Sequence, residues 1–70
     1  MVLSEVRNNG IYHVRQLHDG AGDSHRHLEN LGFVPGEQIV VVSRIGGNLI
    51  VNVKGSRVAL SSELAKHITV

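Results

Sequence analysis

Two glycines, Gly46-Gly47, stand between an apolar run and an alternating one. Before them, residues 37–44 are apolar on both parities at their centre, through Ile39-Val40-Val41-Val42. After them, residues 49–54 alternate, with Leu49, Val51 and Val53 on one face and Asn52 and Lys54 on the other. A two-residue loop between such runs leaves one short connection, an antiparallel hairpin. Gly55-Ser56 makes a second tight turn into Arg57-Val58-Ala59-Leu60. Residues 37–60 are therefore predicted to form a three-stranded meander. A central strand that is apolar on both faces suits a small barrel or sandwich, so the flanking segments must cover it.

Those flanks are short. Leu3-Ser4-Glu5-Val6 fits a single helical turn, and Asn8-Asn9-Gly10 ends it because Asn and Gly accept positive φ. Residues 11–17 read as a strand. Tyr12 and Val14 share one face and Leu17 the other, so a bulge is expected near Arg15-Gln16. A flexible approach, Asp19-Gly20-Ala21-Gly22-Asp23, leads to a short helix over residues 24–31. Ala21, Ser24, Leu28 and Leu31 fall on its inner face, with Asp23 or Ser24 as the cap. Gly32 stands where a helix wants its C′ residue. Pro35-Gly36 fits the centre of a type II turn. Ser61-Ser62 caps a turn through Glu63-Leu64-Ala65-Lys66, and residues 67–70 form a last strand with Ile68 and Val70 inward. The expected fold is mainly β: a small five-stranded antiparallel barrel over residues 1–70, one domain, with one short helix between the first two strands.

Size and composition narrow the function. Seventy residues carry two aromatics, Tyr12 and Phe33, so the core must be aliphatic. A chain of this mass has a folded surface of about 4,300 Å², which leaves little depth for a catalytic cleft with buried charges. Cysteine is absent, which removes disulfides, thiolate metal sites and thiol catalysis and favours the cytosol. No basic segment followed by a long apolar run opens the chain, so no signal peptide is expected. The longest apolar run is Ile39-Val40-Val41-Val42, far below the about 20 residues of a membrane span. A net charge of +1 lacks the basic excess of a nucleic-acid binder.

Leu28-Glu29-Asn30-Leu31-Gly32-Phe33-Val34-Pro35-Gly36 resembles the "L-x-x-L-G-hydrophobic-x-P-G" centre of the FeoA proteins of bacterial ferrous iron uptake. Leu3-Ser4-Glu5-Val6 with Gly10 is similar to the family's "L-S-E-L…G" opening, and Ala65-Lys66-His67-Ile68-Thr69-Val70 to its "A-x-x-I-x-V" close. The resemblance implies an SH3-like barrel. It also implies a cytoplasmic accessory of FeoB, the membrane transporter with a GTP-binding cytoplasmic domain. An alternative is a stand-alone metal-binding or metal-sensing module, related to the C-terminal SH3-like domain of DtxR-type repressors. The helix-turn-helix domain of those repressors has no room before a barrel that begins within a dozen residues of Met1. Two departures stand out: the Gly46-Gly47 hairpin is shorter than in many members, and His25 and His27 replace residues often basic in others.

Residue by residue, the motif is scaffold. Leu28 and Leu31 bury the helix, and Gly32, Pro35 and Gly36 shape its exit. The histidines raise the question of Fe²⁺ or another divalent metal. His25 and His27 lie about 200° apart on a helix and point to opposite sides. His25 and Glu29, at i and i+4, share a face, yet two donors are fewer than a functional site needs. His13 and His18 fall near the same end. Solvated histidines, with no cofactor and no metal, are the reading adopted. Ser61-Ser62 with His67 has no acid behind it, and the serines serve better as caps, so no enzyme is expected. The helix surface of Arg26, Glu29 and Asn30, with an outward strip of Arg44, Lys54 and Arg57, is the candidate face for the cytoplasmic domain of a FeoB-type transporter. No nucleic acid and no membrane insertion is expected.

Overall fold

The computed structural model describes residues 1–18 and 23–70. The elements are a 3₁₀ turn at Leu3–Glu5, β1 (Gly10–His13), β2 (Gln16–Leu17), α1 (Asp23–Leu31), β3 (Gln38–Ile45), β4 (Asn48–Val53), β5 (Ser56–Ser61), α2 (Ser62–Ala65) and β6 (Ile68–Thr69). They make a four-stranded antiparallel sheet in the order β1-β3-β4-β5 and a separate β2-β6 pair. The expected residue 19–22 approach, the position of Ala21 and the side-chain capping by Asp23 or Ser24 lie outside the described residues.

The meander forms where the turns demand it. Gly46-Gly47 joins β3 to β4, with Ile45 paired to Asn48 across the loop and Gly46 at φ +59°. The second turn is centred on Lys54-Gly55, one residue earlier than expected, with φ +50° and +76°. A two-residue hairpin turn with both central φ values positive matches the right-handed twist of its strands. Ser56 thereby becomes the first residue of β5, paired with Val53. Lys54 leaves the strand for the turn, and its side chain reaches Glu37 instead of continuing the outer face.

The expected first strand over residues 11–17 is corrected to two strands. Val14 still pairs beside the four-stranded sheet: its N–H donates to Glu37 O at 2.9 Å and its carbonyl accepts from Gly36 N–H at 2.8 Å. One residue later, Arg15 N–H donates to Thr69 O at 2.7 Å. The chain has changed partners, and β2 pairs with β6 through Gln16–Thr69 and Leu17–Ile68. The parity break that suggested a bulge is this change of sheet. It lets Tyr12, Val14 and Leu17 all turn toward one interior. Hence the expected five-stranded antiparallel barrel becomes six strands in two sheets, not closed by hydrogen bonds among the described residues. The helix follows the second strand, not the first.

Two helical ends show why the sequence stops where it does. Gly32 N–H donates to Glu29 O and Phe33 N–H to Leu28 O, both at 3.0 Å. This pair of bonds is a Schellman ending, and it needs positive φ at C′; Gly32 has φ +107°. Leu28 and Phe33, brought together by it, are both fully buried. Val34 O then accepts from Glu37 N–H at 2.9 Å around Pro35 and Gly36, the latter at φ +91°, as a type II turn requires. Ser61 Oγ accepts from Leu64 N–H at 3.3 Å and caps α2.

The core joins Leu3 and Val6 of the first turn to Val14, Leu17, Leu28, Phe33, Ile39, Val41, Leu49, Val51, Val53, Leu60, Ala65 and Ile68. Among the described residues no polar or charged side chain is buried. Catalytic or ligand-binding chemistry in these residues is therefore confined to the surface.

Candidate functional site

The motif residues sit inside or at turns. Leu28 is fully buried, Leu31 half-buried against the core, and Gly32 and Gly36 hold the positive-φ turns on either side of Pro35. They orient α1 and leave its outer residues Arg26, His27, Glu29 and Asn30 exposed.

The C-terminal end of α1 meets the β4–β5 turn. The Lys54 stem lies over Gly32, so close that a Cβ there would sit 3.0 Å from its Cδ. Its Nζ reaches Glu37 Oε1 at 2.9 Å. The Lys54 hydrogen bond and charge, aided by the Gln38 backbone N–H, hold the Glu37 carboxyl below the usual carboxylate range. Such a lowered value stabilises the fold above the ordinary carboxylate pKa, and the contribution fades as pH falls through the lowered one. Lys54→Met keeps the stem and removes the charge. Its midpoint in urea should fall below that of the parent at pH 7, and the difference should vanish in strong acid. A constant difference across that range would contradict the ion pair as its source.

Arg57 pairs with Asn52 on the outer face of the sheet, its Nε 3.5 Å from Asn52 Oδ1. Lys54 and Arg57 thus flank one hairpin end, and Lys54 reaches the C-terminal end of α1. Arg44 does not join them. It pairs with Leu49 near the Gly46-Gly47 loop, about 13 Å along β4 from Val53 at about 3.3 Å per residue. A register shift between Val41 and Ser43 also reverses its parity, putting Arg44 on the face of buried Leu49 and not outward. The expected outward strip of Arg44, Lys54 and Arg57 is therefore corrected to a Lys54–Arg57 pair with Arg44 at the far end.

At that far end, Arg44 shares a pocket of about 340 Å³ with Ser4, Glu5 and Arg7. Arg7 is not among the residues expected from the sequence to form a site. Its signal was local: Leu3 and Val6 anchor the opening turn, and an exposed cation follows at once.

His25 and Glu29 do come together, Nε2 to Oε1 at 3.6 Å. No cluster of three or more His, Cys, Asp or Glu able to hold a metal occurs among the described residues. His18 donates its backbone N–H to His67 O at 2.8 Å, and its ring meets Thr69 Oγ1. His13 and His27 are exposed. No helix among the described residues is long and apolar enough to cross a membrane.

No curated protein sequence matches the chain. Among solved structures it is similar to Stenotrophomonas maltophilia FeoA in complex with zinc, with 35% identity and a TM-score of 0.86, over 99% of this chain and 87% of that one. That protein is described as a prokaryotic SH3 domain protein and a candidate activating factor of ferrous iron transport. FeoA of Chlorobium tepidum is 27% identical with a TM-score of 0.82, over 99% of this chain and 67% of that one. A manganese-dependent transcriptional repressor bound to manganese is 22% identical with a TM-score of 0.88, over 97% of this chain but 34% of its own; it shares the fold. Residues 1–70 match the FeoA domain family, and with the Stenotrophomonas relative beside that match, the chain belongs to the FeoA family, with its SH3-like fold and its link to ferrous iron transport.

Proposed function

We infer that the chain is a non-enzymatic accessory of bacterial ferrous iron uptake, acting in the cytoplasm by contact with the cytoplasmic domain of a FeoB-type transporter. The observation that carries this reading is the FeoA match over residues 1–70. The physical character of the surface supports it. The described interior is apolar, so what the chain offers is its exterior. A contact of about 800 Å² per partner takes about a fifth of its 4236 Å² surface. The face we assign is the outer side of α1, at Arg26, Glu29 and Asn30, with Lys54 at its C-terminal end and Arg57 on the hairpin that carries Lys54. A patch of this size, polar and without an aromatic anchor, binds weakly, on the order of micromolar, and loosens with salt.

Isotope-labelled protein titrated with the transporter's cytoplasmic domain, in each nucleotide state, tests the reading. Amide shifts at residues 26–30 and 54–57 that diminish with added salt are expected. No shifts at millimolar partner would remove the partner; shifts confined elsewhere would remove the face.

The alternative is a metal-binding or metal-sensing role. The Stenotrophomonas relative was crystallised with zinc, and the His25–Glu29 pair offers two donors here. Structural zinc takes four ligands and catalytic zinc three, so this pair does not complete a site. Anaerobic calorimetry with Fe²⁺ should give no single micromolar site. Micromolar binding abolished by His25→Ala would replace the accessory reading with the metal one.

A further inference from the structure

We propose that the pocket lined by Ser4, Glu5, Arg7 and Arg44 receives an acidic side chain, Asp or Glu, of a protein partner. This proposal rests on the reading of the chain as a contact protein and adds a second point of contact, away from α1.

The pocket is built from two separately anchored pieces. Leu3 and Val6, both buried, fix the 3₁₀ turn that carries Ser4 and Glu5 and the segment just after it that carries Arg7. Arg44 comes from the far end of β3. Asn9 Nδ2 donates to Val42 O at 3.1 Å and ties the segment after Arg7 to the strand that carries Arg44. Two guanidinium groups are therefore held around one space.

Their charges are unpaired among the described residues. The ion pairs seen there, His25–Glu29, Lys54–Glu37 and Lys66–Glu63 among them, do not include Arg7 or Arg44. The acid in the lining, Glu5, accepts at Oε1 from Val2 N–H at 3.2 Å across the first turn and keeps its charge. Two cations and one carboxylate leave the lining with a net positive charge. Guanidinium groups bind carboxylates through paired N–H donors, and the Ser4 hydroxyl supplies a further donor.

Shape decides between anions. A pocket of about 340 Å³ is several times larger than a free inorganic anion, so such an ion would leave most of it to water. No aromatic ring lines it, so it offers no platform for a nucleobase. A carboxylate carried on a side chain brings its own stem and neighbouring backbone to fill the remaining space. Arginine is also enriched among the residues that dominate protein interfaces.

The test uses the labelled full chain and three probes: a short end-blocked peptide with two glutamates among glycine and serine, its glutamine counterpart, and inorganic phosphate. The glutamate peptide is expected to shift the Nε–Hε signals of Arg7 and Arg44 and the amides of Ser4 and Glu5, at millimolar concentration. Arg7→Gln and Arg44→Gln should each weaken it about tenfold, as expected for loss of a hydrogen bond to a charged group. Arg57→Gln should leave it unchanged. Equal binding of the glutamine peptide would overturn the proposal, as would equal loss in Arg57→Gln. Saturation by phosphate at lower concentration than the peptide would reassign the pocket to a free anion and overturn the partner form. Because no transporter is present, a negative result here leaves the transporter titration untouched, and the reverse also holds.

Discussion

Phe33→Ala is expected to lower the urea midpoint of unfolding to about half that of the parent. Phe33 is fully buried, whereas Tyr12, the other aromatic, is half-buried. It arrives in the core through the Schellman ending, in which its N–H bonds Leu28 O. Truncating a buried Phe to Ala costs about 3–5 kcal/mol. A domain of 70 residues has about 4–10 kcal/mol in total, at about 0.05–0.15 per residue. The loss is thus about half of the stability. Urea unfolding followed by far-UV circular dichroism reads it directly. Phe33→Leu keeps most of the volume and should lose less than half as much. Equal losses in the two variants would show that volume at this position is not what matters.

Gly32→Val should be the next most damaging substitution. Two separate penalties meet there. The backbone sits at φ +107°, which residues with a Cβ rarely adopt. The added Cβ would also stand 3.0 Å from Lys54 Cδ and 3.3 Å from its Cγ. A free lysine stem moves aside easily, but the Lys54 head is held by Glu37 at 2.9 Å. We expect a loss of about 2 kcal/mol, of the order found for strained backbone, and more for Val than for Ala. Gly36 provides the control. It has φ +91° with nothing within 4 Å of an added Cβ, so Gly36→Ala meets backbone strain alone. Gly32→Ala should exceed Gly36→Ala, and Lys54→Ala in the Gly32→Ala background should recover the excess. Equal effects at the two glycines would remove Lys54 from the explanation.

These positions also show what the sequence made legible. Gly32, Pro35-Gly36 and Gly46-Gly47 act through local backbone geometry, and local geometry is written in neighbouring residues. The alternation of Leu49, Val51 and Val53 is equally local, and all three are buried. The split of the first strand is not local. β2 and β6 are two residues each and pair across about fifty residues of sequence, so neither has a pattern of its own. The parity break at Leu17 pointed to the right place with the wrong cause. The place of Arg44 was hidden for a related reason. A register shift after Val41 reverses every side chain beyond it, and a run apolar on both faces gives no parity by which to notice.

The candidate site was legible only in part. The motif that identifies the family is mostly scaffold, either buried as at Leu28 and Phe33 or set at turns as at Gly32, Pro35 and Gly36, because family resemblance follows the residues that hold the fold. Contact residues are exposed, and nothing within the chain constrains an exposed Arg26 or Asn30 to be what it is. The His25–Glu29 pair was readable because i and i+4 spacing fixes it. The Arg7–Arg44 pocket joins segments 37 residues apart, a proximity that follows from the sheet and not from spacing.

The central claim is that the chain supports ferrous iron uptake through its transporter. Anaerobic uptake of radiolabelled Fe²⁺ in cells that carry this gene, with the gene intact, deleted and restored, measures this most directly. Deletion should lower the initial rate at unchanged transporter abundance, and restoration should return it. Uptake that is unchanged by deletion would contradict the account.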